Sequence, residues 1–266
     1  MYHIDNRNLK ISIITVSLNQ GRFIEDNIQS VLNQNYPNVE HIIIDAGSTD
    51  QTLDILKKYN KYLIWTSEPD KGQSAGLNKG FKKATGEIIG WINSDDRLAP
   101  GALYKVAEFF DQNPEEIAVV GDQAILDEEG KILRIIKSRA YDFDYLLNLA
   151  KGITQNSTFF KREVFEKTGY LNEDLHYAMD HDLFIRITAI KTIPYLPETL
   201  AEFRFHADAK TAKGCYYFVK ELLKIRRKYG GRILSPGSRS NYYIIFTEPL
   251  RRIKLFRSLV QKIREL

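Results

Sequence analysis

The chain has little cysteine and no long hydrophobic run. Both absences limit the classes of protein to which it can belong. Cys215 is the single cysteine, so no disulfide can form within the chain, which favours a reducing compartment. No stretch of about 18 apolar residues is present. The first seven residues also lack the apolar core of a signal peptide. We therefore expect a cytoplasmic protein with no transmembrane span.

The net charge of the chain is also small. The 38 Lys and Arg residues exceed the 34 Asp and Glu residues by only four, which is too mild an excess to indicate nucleic-acid binding. Basic residues nevertheless crowd two C-terminal runs, 220–228 and 251–257. The stretch 242–266 suits contact with an anionic membrane surface. It suits equally an amphipathic helix packed on the domain, or a dimer contact.

Two nucleotide-binding signatures are missing after the first predicted strand. A dehydrogenase would carry Gly-x-Gly-x-x-Gly at that place, and a sugar-phosphate nucleotidyltransferase would carry a Gly-rich, basic loop. The chain instead has the sequence Ser-Leu-Asn-Gln-Gly at residues 17–21. Neither enzyme class is therefore expected.

The first half of the chain alternates apolar runs with amphipathic stretches. Four short apolar runs are predicted strands: residues 11–16, 41–45, 62–65 and 87–92. Helices are predicted between them, including residues 23–32 and 73–83. This alternation predicts an α/β fold with a mostly parallel, doubly wound sheet, whose ligand site lies at the carboxyl ends of the strands.

The pattern loosens after residue 96. A helix is predicted over residues 100–110, a strand over 117–120, a hairpin turn at 127–130 and a short aromatic-rich helix over 141–149. Most of the last 55 or so residues are expected to be helical. We predict one domain over residues 1–210, in two halves, 1–100 and 101–210. A basic helical extension over residues 211–266 follows it.

A cluster of carboxylates follows the fourth predicted strand. Asn93, Ser94, Asp95 and Asp96 come directly after this apolar run. Hard oxygen ligands of this kind hold a divalent cation, but Asp and Asn also favour turns and helix caps. Asp45 closes the second predicted strand in the same way, where a carboxylate could accept a hydrogen bond from a nucleotide base. The location at strand ends favours binding over capping.

Several ordered motifs together resemble the opening of the family 2 glycosyltransferases. They are Ile-Thr-Val-Ser-Leu-Asn at 14–19, Ser-Val-Leu-Asn-Gln-Asn-Tyr-Pro-Asn at 30–38, Asp-Ala-Gly-Ser-Thr-Asp at 45–50, Ser-Glu-Pro-Asp-Lys-Gly at 67–72, and Asn-Ser-Asp-Asp at 93–96. The similarity is dense over the first 100 residues and thinner to about residue 210. Bacterial enzymes of O-antigen and exopolysaccharide assembly are the most similar members. The resemblance implies a GT-A fold that binds nucleotide-diphospho-sugars, with residues 1–100 as the nucleotide-sugar-binding half and residues 101–210 as the acceptor and catalytic half.

The resemblance also implies roles for individual residues. The implied nucleotide-sugar-binding residues are Thr15, Ser17, Asn19, Asp45, Asp70, Lys71, Asn78, Asn93 and Ser94. The implied ligands of a Mn²⁺ or Mg²⁺ ion are Asp95, Asp96 and His206. Asn93 stands where the first acid of the family's Asp-x-Asp motif often sits, which weakens the expected metal site because an amide oxygen is a poorer ligand than a carboxylate.

The catalytic base is expected in a second acidic motif, Ala-Met-Asp-His-Asp-Leu at 178–183. Asp180 matches the family's base and Asp182 is its competitor, while both residues would also favour a helix N-terminus. Aromatic residues for the acceptor are expected at Tyr141, Phe143 and Tyr145. The resemblance implies an inverting transfer, from a UDP-sugar as the first expectation, to a saccharide or a lipid-linked saccharide. The alternative is a non-catalytic nucleotide-sugar-binding or scaffold protein, which Asn93 and Met179 in place of acids would suit. Oligomerisation stays open.

Overall fold

The computed structural model describes residues 9–150, 153–206, 209–210, 215–239 and 241–242. The strands in these residues are β1 (Ile11–Ser17), β2 (Val39–Asp45), β3 (Ile64–Ser67), β4 (Ile88–Trp91), β5 (Arg97–Leu98), β6 (Ala118–Leu126), β7 (Ile132–Ile136), β8 (Thr158–Lys161) and β9 (Tyr195–Arg204). The α-helices are α1 (Ile24–Leu32), α2 (Thr52–Lys58), α3 (Gln73–Lys83), α4 (Ala102–Gln112), α5 (Val164–Thr168), α6 (Met179–Thr188) and α7 (Cys215–Lys228).

The strands of the first half form a parallel sheet in the order β3-β2-β1-β4. Ile11 lies opposite Val39 of β2 on one side and opposite Ile88 of β4 on the other. The Ile side chains of β1 and β2 are buried on both faces, as apolar runs of a parallel sheet require. The predicted parallel arrangement is confirmed for this half.

The second half adds strands that pair in antiparallel fashion, except that β6 and β9 run parallel to each other. β4 is followed by β8, β6, β9 and β5, and β7 pairs with β6 as a hairpin. The hairpin turn predicted at residues 127–130 is confirmed, and Gly130 takes the positive φ that the turn needs. Pro197 lies in β9 where the register with β6 shifts, which a residue without an N–H tolerates.

Helices cover both faces of the sheet. On one face Leu77 and Phe81 of α3 share a core with α6 and with Ile225 of α7. On the other face α1, α2 and α4 pack against β1, β2 and β4. The doubly wound arrangement is therefore confirmed, and it leaves the carboxyl ends of β1, β2 and β4 on one edge of the sheet.

Some predicted boundaries were displaced for local reasons. The third strand begins at Ile64 rather than residue 62, because it is an edge strand whose outer side chains are exposed. Helix α4 begins after Gly101, whose left-handed backbone (φ 73°) follows Pro100 and ends any earlier helical turn. The short aromatic-rich helix predicted over residues 141–149 is present over residues 143–149, and its part Tyr145–Leu149 is π-helical.

Helix α7 packs on the domain through buried Val219, Leu222 and Ile225. The domain boundary at residue 210 stays a prediction. Residues 1–8 and the basic run 251–257 lie outside the described residues, as does most of the stretch predicted to touch a membrane. In the part of the chain that the structure describes, no helix is long and apolar enough to cross a membrane.

Candidate functional site

A cleft of about 570 Å³ opens where the strand order reverses, between the carboxyl ends of β1 and β4. In an open α/β sheet this is the place where ligands bind. The structure brings together eight of the predicted site residues in its lining: Ser17, Asp70, Asn93, Ser94, Asp95, Asp96, Asp180 and His206. The other predicted residues lie outside the lining: Thr15, Asn19, Asp45, Lys71 and Asn78.

The turn after β4 is supported by the buried side chain of Asn27, which was not predicted from the sequence. Asn27 of α1 is fully buried, and its Nδ2 donates to the carbonyl oxygens of Asn93 (2.9 Å) and Asp96 (3.0 Å). Thr15 Oγ1 lies 3.4 Å from Asn27 Oδ1 and 3.0 Å from Nε2 of His41. Burial lowers the pKa of His41 to about 3, so this network is neutral. Thr15 therefore supports the turn from inside the domain, and its contact with a nucleotide stays a prediction.

Arg204 clamps the same turn from the other side. Its side chain is fully buried, and its Nε–H donates to the carbonyl oxygen of Asp95 at 3.1 Å. Its Nη2–H donates to Asp26 Oδ2 at 2.8 Å, and its Nη1–H to the carbonyl oxygen of Glu128 in the hairpin turn at 2.9 Å. All three directions of the guanidinium are used within the protein. Arg204 is therefore structural, and it does not face the cleft.

The predicted metal residues are brought together, but they differ in exposure. Asp95 Oδ2 lies 3.0 Å from Nε2 of His206 at the cleft wall. Asp96 is 1% exposed, and its oxygens accept hydrogen bonds from the backbone N–H of Arg204 and from Asn156 Nδ2. Burial and the neighbouring charge of Asp95 raise the pKa of the Asp96 carboxyl. Asp96 thus braces the turn in this structure, and metal ligation by it stays a prediction.

Two ligand atoms fit one divalent ion here. Neighbouring ligands of an octahedral Mn²⁺ or Mg²⁺ ion, each about 2.1 Å from the metal, lie about 3.0 Å apart. The Oδ2–Nε2 distance of 3.0 Å between Asp95 and His206 matches this spacing. No group of three His, Cys, Asp or Glu side chains that could hold a metal occurs among the described residues. Metal ligation by Asp95 and His206 stays a prediction.

A hydrogen-bonded chain lines the floor of the cleft beside this pair. Gln73, in the first turn of α3, donates to Asn93 Oδ1 (3.0 Å) and accepts from Lys210 Nζ (2.8 Å). Trp91 Nε1–H also donates to Asn93 Oδ1, at 3.2 Å. The amide oxygen of Asn93 is thus occupied, which leaves its Nδ2 as the group that can donate to a ligand. Asn93 suits a donor to ribose or phosphate oxygen better than a metal ligand.

The carboxyl ends of β1 and β2 form the next wall. Ser17 is buried at the cleft, and its Oγ has no partner among the described residues, so it can bond a ligand. Asp45 is 0% exposed and accepts hydrogen bonds from the N–H groups of Gly47 and Ser48 and from the hydroxyls of Ser48 and Ser67. Its carboxylate shapes the turn that presents Ala46 to the cleft. Contact of Asp45 with a base stays a prediction.

The remaining predicted binders are supports or surface residues. Asn19 Oδ1 accepts from the N–H of Thr49, and so ties the β1 and β2 loops together. Asn78 bonds both the N–H and the carbonyl oxygen of Leu171, far from the cleft lining. Asp70 lines the cleft and accepts from the N–H of Gly72 at 2.7 Å. Lys71 is exposed. Nucleotide contacts of Asn19, Lys71 and Asn78 are not visible in this geometry and stay predictions.

Asp180 faces the cleft from the first turn of α6. Its Oδ1 accepts from the N–H of His181 at 2.7 Å, and no described residue bonds its Oδ2. Burial raises the pKa of the carboxyl to about 6, with the charge of Glu221 raising it further and Lys210 opposing the rise. A carboxyl with a pKa near this value can take a proton from a substrate at neutral pH.

Asp182 is fixed in a different role. Two residues along a helix turn a side chain to the opposite face. The carboxylate is 1% exposed, pairs with Arg186 (2.8 Å) and Lys228 (3.3 Å), and accepts from the hydroxyl of Tyr229. Asp182 is absent from the cleft lining. The geometry therefore favours Asp180 over Asp182 as the base.

The aromatic residues expected at the acceptor were placed wrongly. Tyr141 is buried and bonds Ser138 and Thr154, and its ring stacks on that of Tyr145. Phe143 packs against the same core. The apolar side chains that line the same cleft as Asp180 include instead Ile153, Tyr177, Met179, Phe203 and Phe218. The proximity of Tyr177 to Asp180 in sequence was a usable signal, but no local pattern indicates Phe218, which comes from α7.

Known proteins resemble this chain in sequence. Residues 12–169 match the family model of Glycosyl transferase family 2. TuaG of Bacillus subtilis, a putative teichuronic acid biosynthesis glycosyltransferase, is 28% identical over 233 residues, which span 81% of this chain and 89% of TuaG. An uncharacterized glycosyltransferase of Rickettsia felis is 26% identical over 212 residues, 76% of this chain. The chain spans only 35% of the length of that relative.

Solved structures resemble it in fold. TarS of S. aureus, residues 1–349 in complex with UDP-GlcNAc, superposes with a TM-score of 0.68 at 19% identity, covering 92% of this chain and 72% of that one. The mannosyltransferase PcManGT of Pyrobaculum calidifontis, in complex with GDP-Man and Mn²⁺, superposes with a TM-score of 0.61 at 15% identity, covering 96% and 84%. The predicted GT-A fold is confirmed.

Proposed function

Because the chain belongs to glycosyl transferase family 2, we propose that it is an inverting glycosyltransferase acting in the synthesis of a cell-surface polysaccharide. In this proposal it moves a sugar from a nucleotide-diphosphate donor onto a saccharide or a lipid-linked saccharide. The observation that carries the proposal is the Asp180 carboxylate, which faces the cleft with a pKa raised to about 6. The similarity to TuaG, a putative enzyme of teichuronic acid synthesis, supports the polysaccharide context.

The donor half of the cleft suits a diphosphate. Ser17 Oγ, Asn93 Nδ2 and Lys210 Nζ offer hydrogen-bond donors along one wall, and Lys210 adds a positive charge. A UDP-sugar is the first candidate donor, because TarS, of the same fold, holds UDP-GlcNAc. PcManGT holds GDP-Man, so GDP-sugars belong in the same test.

Asp95 and His206 are the residues that would hold a divalent ion, Mn²⁺ or Mg²⁺. Their 3.0 Å separation fits two neighbouring ligands of one ion, and PcManGT carries Mn²⁺ in a structure of this fold. When bound, such an ion offsets the negative charge of the departing diphosphate. Asn27 and Arg204 contribute by fixing the turn that carries Asp95.

Asp180 performs the proton transfer in this proposal. Its carboxylate takes the proton of the acceptor hydroxyl as that oxygen bonds to the anomeric carbon of the donor sugar. The bond from the anomeric carbon to the diphosphate oxygen breaks on the opposite side, so the configuration inverts and the nucleotide diphosphate leaves. Lys210, whose charge lowers the pKa of Asp180, helps to keep the base deprotonated before the transfer.

The acceptor is placed by the requirement that its hydroxyl reach Asp180. The cleft that this carboxyl faces is also lined by Tyr177, Met179 and Phe218. Aromatic and apolar side chains of this kind pack against the C–H face of a sugar ring. A saccharide acceptor is therefore the proposed class. The basic segment beyond residue 242 would suit a lipid-linked acceptor at the cytoplasmic face of a membrane.

The alternative of a non-catalytic binding protein has two observations in its favour. Asn93 and Met179 stand where related enzymes often have acids. Against it, Asp180 keeps an oxygen that no described residue bonds, beside an apolar wall that suits an acceptor. A scaffold would have no use for a half-buried carboxyl of raised pKa, which lowers stability at neutral pH. Catalysis is therefore the function that we propose.

A donor screen tests the function directly. UDP-, dTDP- and GDP-sugars are titrated into the protein with Mn²⁺, with Mg²⁺ and with a chelator, and binding and slow donor hydrolysis are both measured. We expect one nucleotide class to bind more tightly with the metal and to be hydrolysed slowly. Donor binding with no hydrolysis or transfer would favour the scaffold. No response to any donor would contradict the proposal altogether.

A further inference from the structure

The N-terminus of α6, which carries the base, lacks a cap of its own. Its N-cap residue is Ala178, whose side chain makes no capping hydrogen bond, and within the first turn only the N–H of His181 is bonded by a side chain of the described residues, that of Asp180. The residues before it, 170–178, form turns and bends without regular structure. A helix start without a capping side chain leaves backbone donors that need a partner from elsewhere in the fold.

Glu221 of α7 supplies such a partner for the N–H of the N-cap residue Ala178 and for those of the two residues before it. Its Oε1 accepts from the N–H of His176 at 2.9 Å, and its Oε2 accepts from those of Tyr177 (2.8 Å) and Ala178 (2.9 Å). Three consecutive N–H groups thus converge on one carboxylate, and such groups form a site for an anion. A negative charge at a helix N-terminus is also stabilising.

Helix α7, which carries Glu221, is packed firmly on the domain. Val219, Leu222 and Ile225 of α7 are buried in the domain on either side of Glu221. About two helical turns further along the chain, Lys228 Nζ and the hydroxyl of Tyr229 donate to Asp182 Oδ1 of α6, at 3.3 and 3.0 Å. Helices α6 and α7 are therefore joined at two places, and Glu221 is the contact at the end that carries Asp180.

We propose that Glu221 is a positioning residue for the catalytic base, so that helix α7 belongs to the active site. By fixing the backbone from His176 to Ala178, Glu221 sets where Tyr177, Met179 and Asp180 stand in the cleft. The inference rests on the proposed function, in which Asp180 is the base.

Charge gives Glu221 a second effect on the same group. The charges that act on Asp180 are Lys210, from the segment before α7, and Glu221, from α7 itself. Lys210 lowers the pKa of Asp180 and Glu221 raises it, while burial has the largest effect. Removing the charge of Glu221 therefore lowers the pKa of Asp180, which a loss of helix stability alone would not do.

The first experiment needs no substrate. With ¹³C-labelled aspartate, the carboxyl resonance of Asp180 is identified by its loss in Asp180→Asn and is titrated by NMR in the wild type, in Glu221→Gln and in Lys224→Gln. Lys224 is exposed on the same helix and is the matched control. We expect the pKa of Asp180 to fall in Glu221→Gln and to stay unchanged in Lys224→Gln. An unchanged pKa in Glu221→Gln would overturn the proposal.

The second experiment measures turnover with whichever of UDP-GlcNAc or GDP-Man the wild type hydrolyses, well below each variant's Tm. We expect Glu221→Gln to lower kcat by about ten- to a hundredfold, with little change in the KM for the donor, because a misplaced catalytic group costs rate rather than donor binding. The acidic limb of its pH profile should move to lower pH. Glu221→Asp keeps the charge, so its limb should stay in place while kcat falls less.

The outcomes separate the two proposals. If Asp180→Asn keeps full activity, the base assignment fails, whatever Glu221 does. If Asp180→Asn is inactive while Glu221→Gln keeps the wild-type kcat and pH limb, the proposed function stands and the role of Glu221 is refuted. A fall in Tm of Glu221→Gln without a change in kcat or in the pKa of Asp180 would likewise refute it, because it would make Glu221 a structural cap only.

Discussion

The carboxylate oxygen Oδ2 of Asp95 lies 3.0 Å from Nε2 of His206, although 111 positions separate the two residues. The pairing follows from the sheet, in which β5 runs antiparallel to β9 with Arg97 opposite Glu202. This register places the residues just before β5 beside those just after β9. A strand pairing of the second half thus completes a site that the parallel half began.

Replacing His206 should weaken metal-dependent donor binding. In His206→Ala one of two proposed protein ligands is lost, so we expect the affinity for the donor in Mn²⁺ to fall by at least about tenfold. Binding in the presence of a chelator should change little. Calorimetric titration of the donor with and without Mn²⁺ measures both values. His176→Ala, which removes an exposed imidazole outside this pair, is the control. Equal metal dependence in wild type and His206→Ala would remove His206 from the site.

The pH dependence of turnover should report Asp180. The base works in its deprotonated form, and burial raises its pKa to about 6. We therefore expect kcat to rise by about tenfold per pH unit below that value and to level off above it. A pH series of initial rates at saturating donor gives the profile. If kcat instead falls only near pH 3.8, the ordinary pKa of aspartate, Asp180 is not the titrating base.

The same carboxyl should lower the stability of the fold at neutral pH. Its folded-state pKa of about 6 exceeds the usual 3.8, so the folded chain holds the proton more tightly than the unfolded chain does. The stability this provides is present below 3.8 and is lost as the pH rises through about 6. Asn carries no charge to bury, so Asp180→Asn should be more stable than wild type at pH 8, by at most about 3 kcal/mol.

Thermal or denaturant unfolding at two pH values checks this prediction. At pH 8 the unfolding free energy of Asp180→Asn should exceed that of the wild type, and at pH 4 the two should nearly coincide. Asp54→Asn, at a surface side chain that is 82% exposed, should show no such difference. A variant that is less stable than wild type at pH 8 would indicate that Asp180 is a structural residue.

Arg204 should matter for the fold of the turn rather than for contact with substrate. Arg204→Met removes hydrogen bonds to Asp26 and to the carbonyl oxygens of Asp95 and Glu128, which leaves polar groups unpaired. We expect a loss of about 2–5 kcal/mol in the free energy of unfolding.

Arg22 is a matched control for Arg204. Its guanidinium also lies over the ring of Phe23, 4.9 Å from the centroid against 5.0 Å for Arg204, and it also contacts Glu128. It is 59% exposed, however, so Arg22→Gln should cost less than about 1 kcal/mol. Urea unfolding of both variants measures the difference. Equal losses would contradict the role assigned to Arg204.

Asp182 should behave as the structural counterpart of Asp180. Its ion pairs with Arg186 and Lys228 are buried on the carboxylate side, so Asp182→Asn should lower stability by about 1–3 kcal/mol. The kcat of the folded enzyme should remain within a few-fold of the wild-type value. Parallel measurements of Tm and kcat test this. Loss of turnover with unchanged stability would exchange the roles of the two aspartates.

Much of the first half of the fold was predictable from local pattern. The runs around Ile13 and Ile43 are rich in buried isoleucine, and the turn at Asn93 directly follows another apolar run. These signals are contained within a few adjacent residues. The edge strand β3 was displaced because exposure of Ile64, at 48%, weakens the pattern that marks a buried strand.

The supports of the site were not predictable, because they depend on contacts between distant residues. Asn27 reaches Asn93 across 66 positions, and Glu221 reaches Tyr177 across 44. Nothing in the local sequence of α1 or α7 distinguishes these side chains from ordinary polar residues on a helix. Only the packing of those helices on the sheet gives them their partners.

The most direct test of the account compares donor binding and sugar transfer in Asp180→Asn and in the wild type. Binding of the donor found by the screen is measured by calorimetry, and transfer is measured as release of the nucleotide diphosphate in the presence of a saccharide acceptor. The account predicts unchanged donor affinity and a loss of transfer by about a thousandfold or more. Full transfer activity in Asp180→Asn would contradict it.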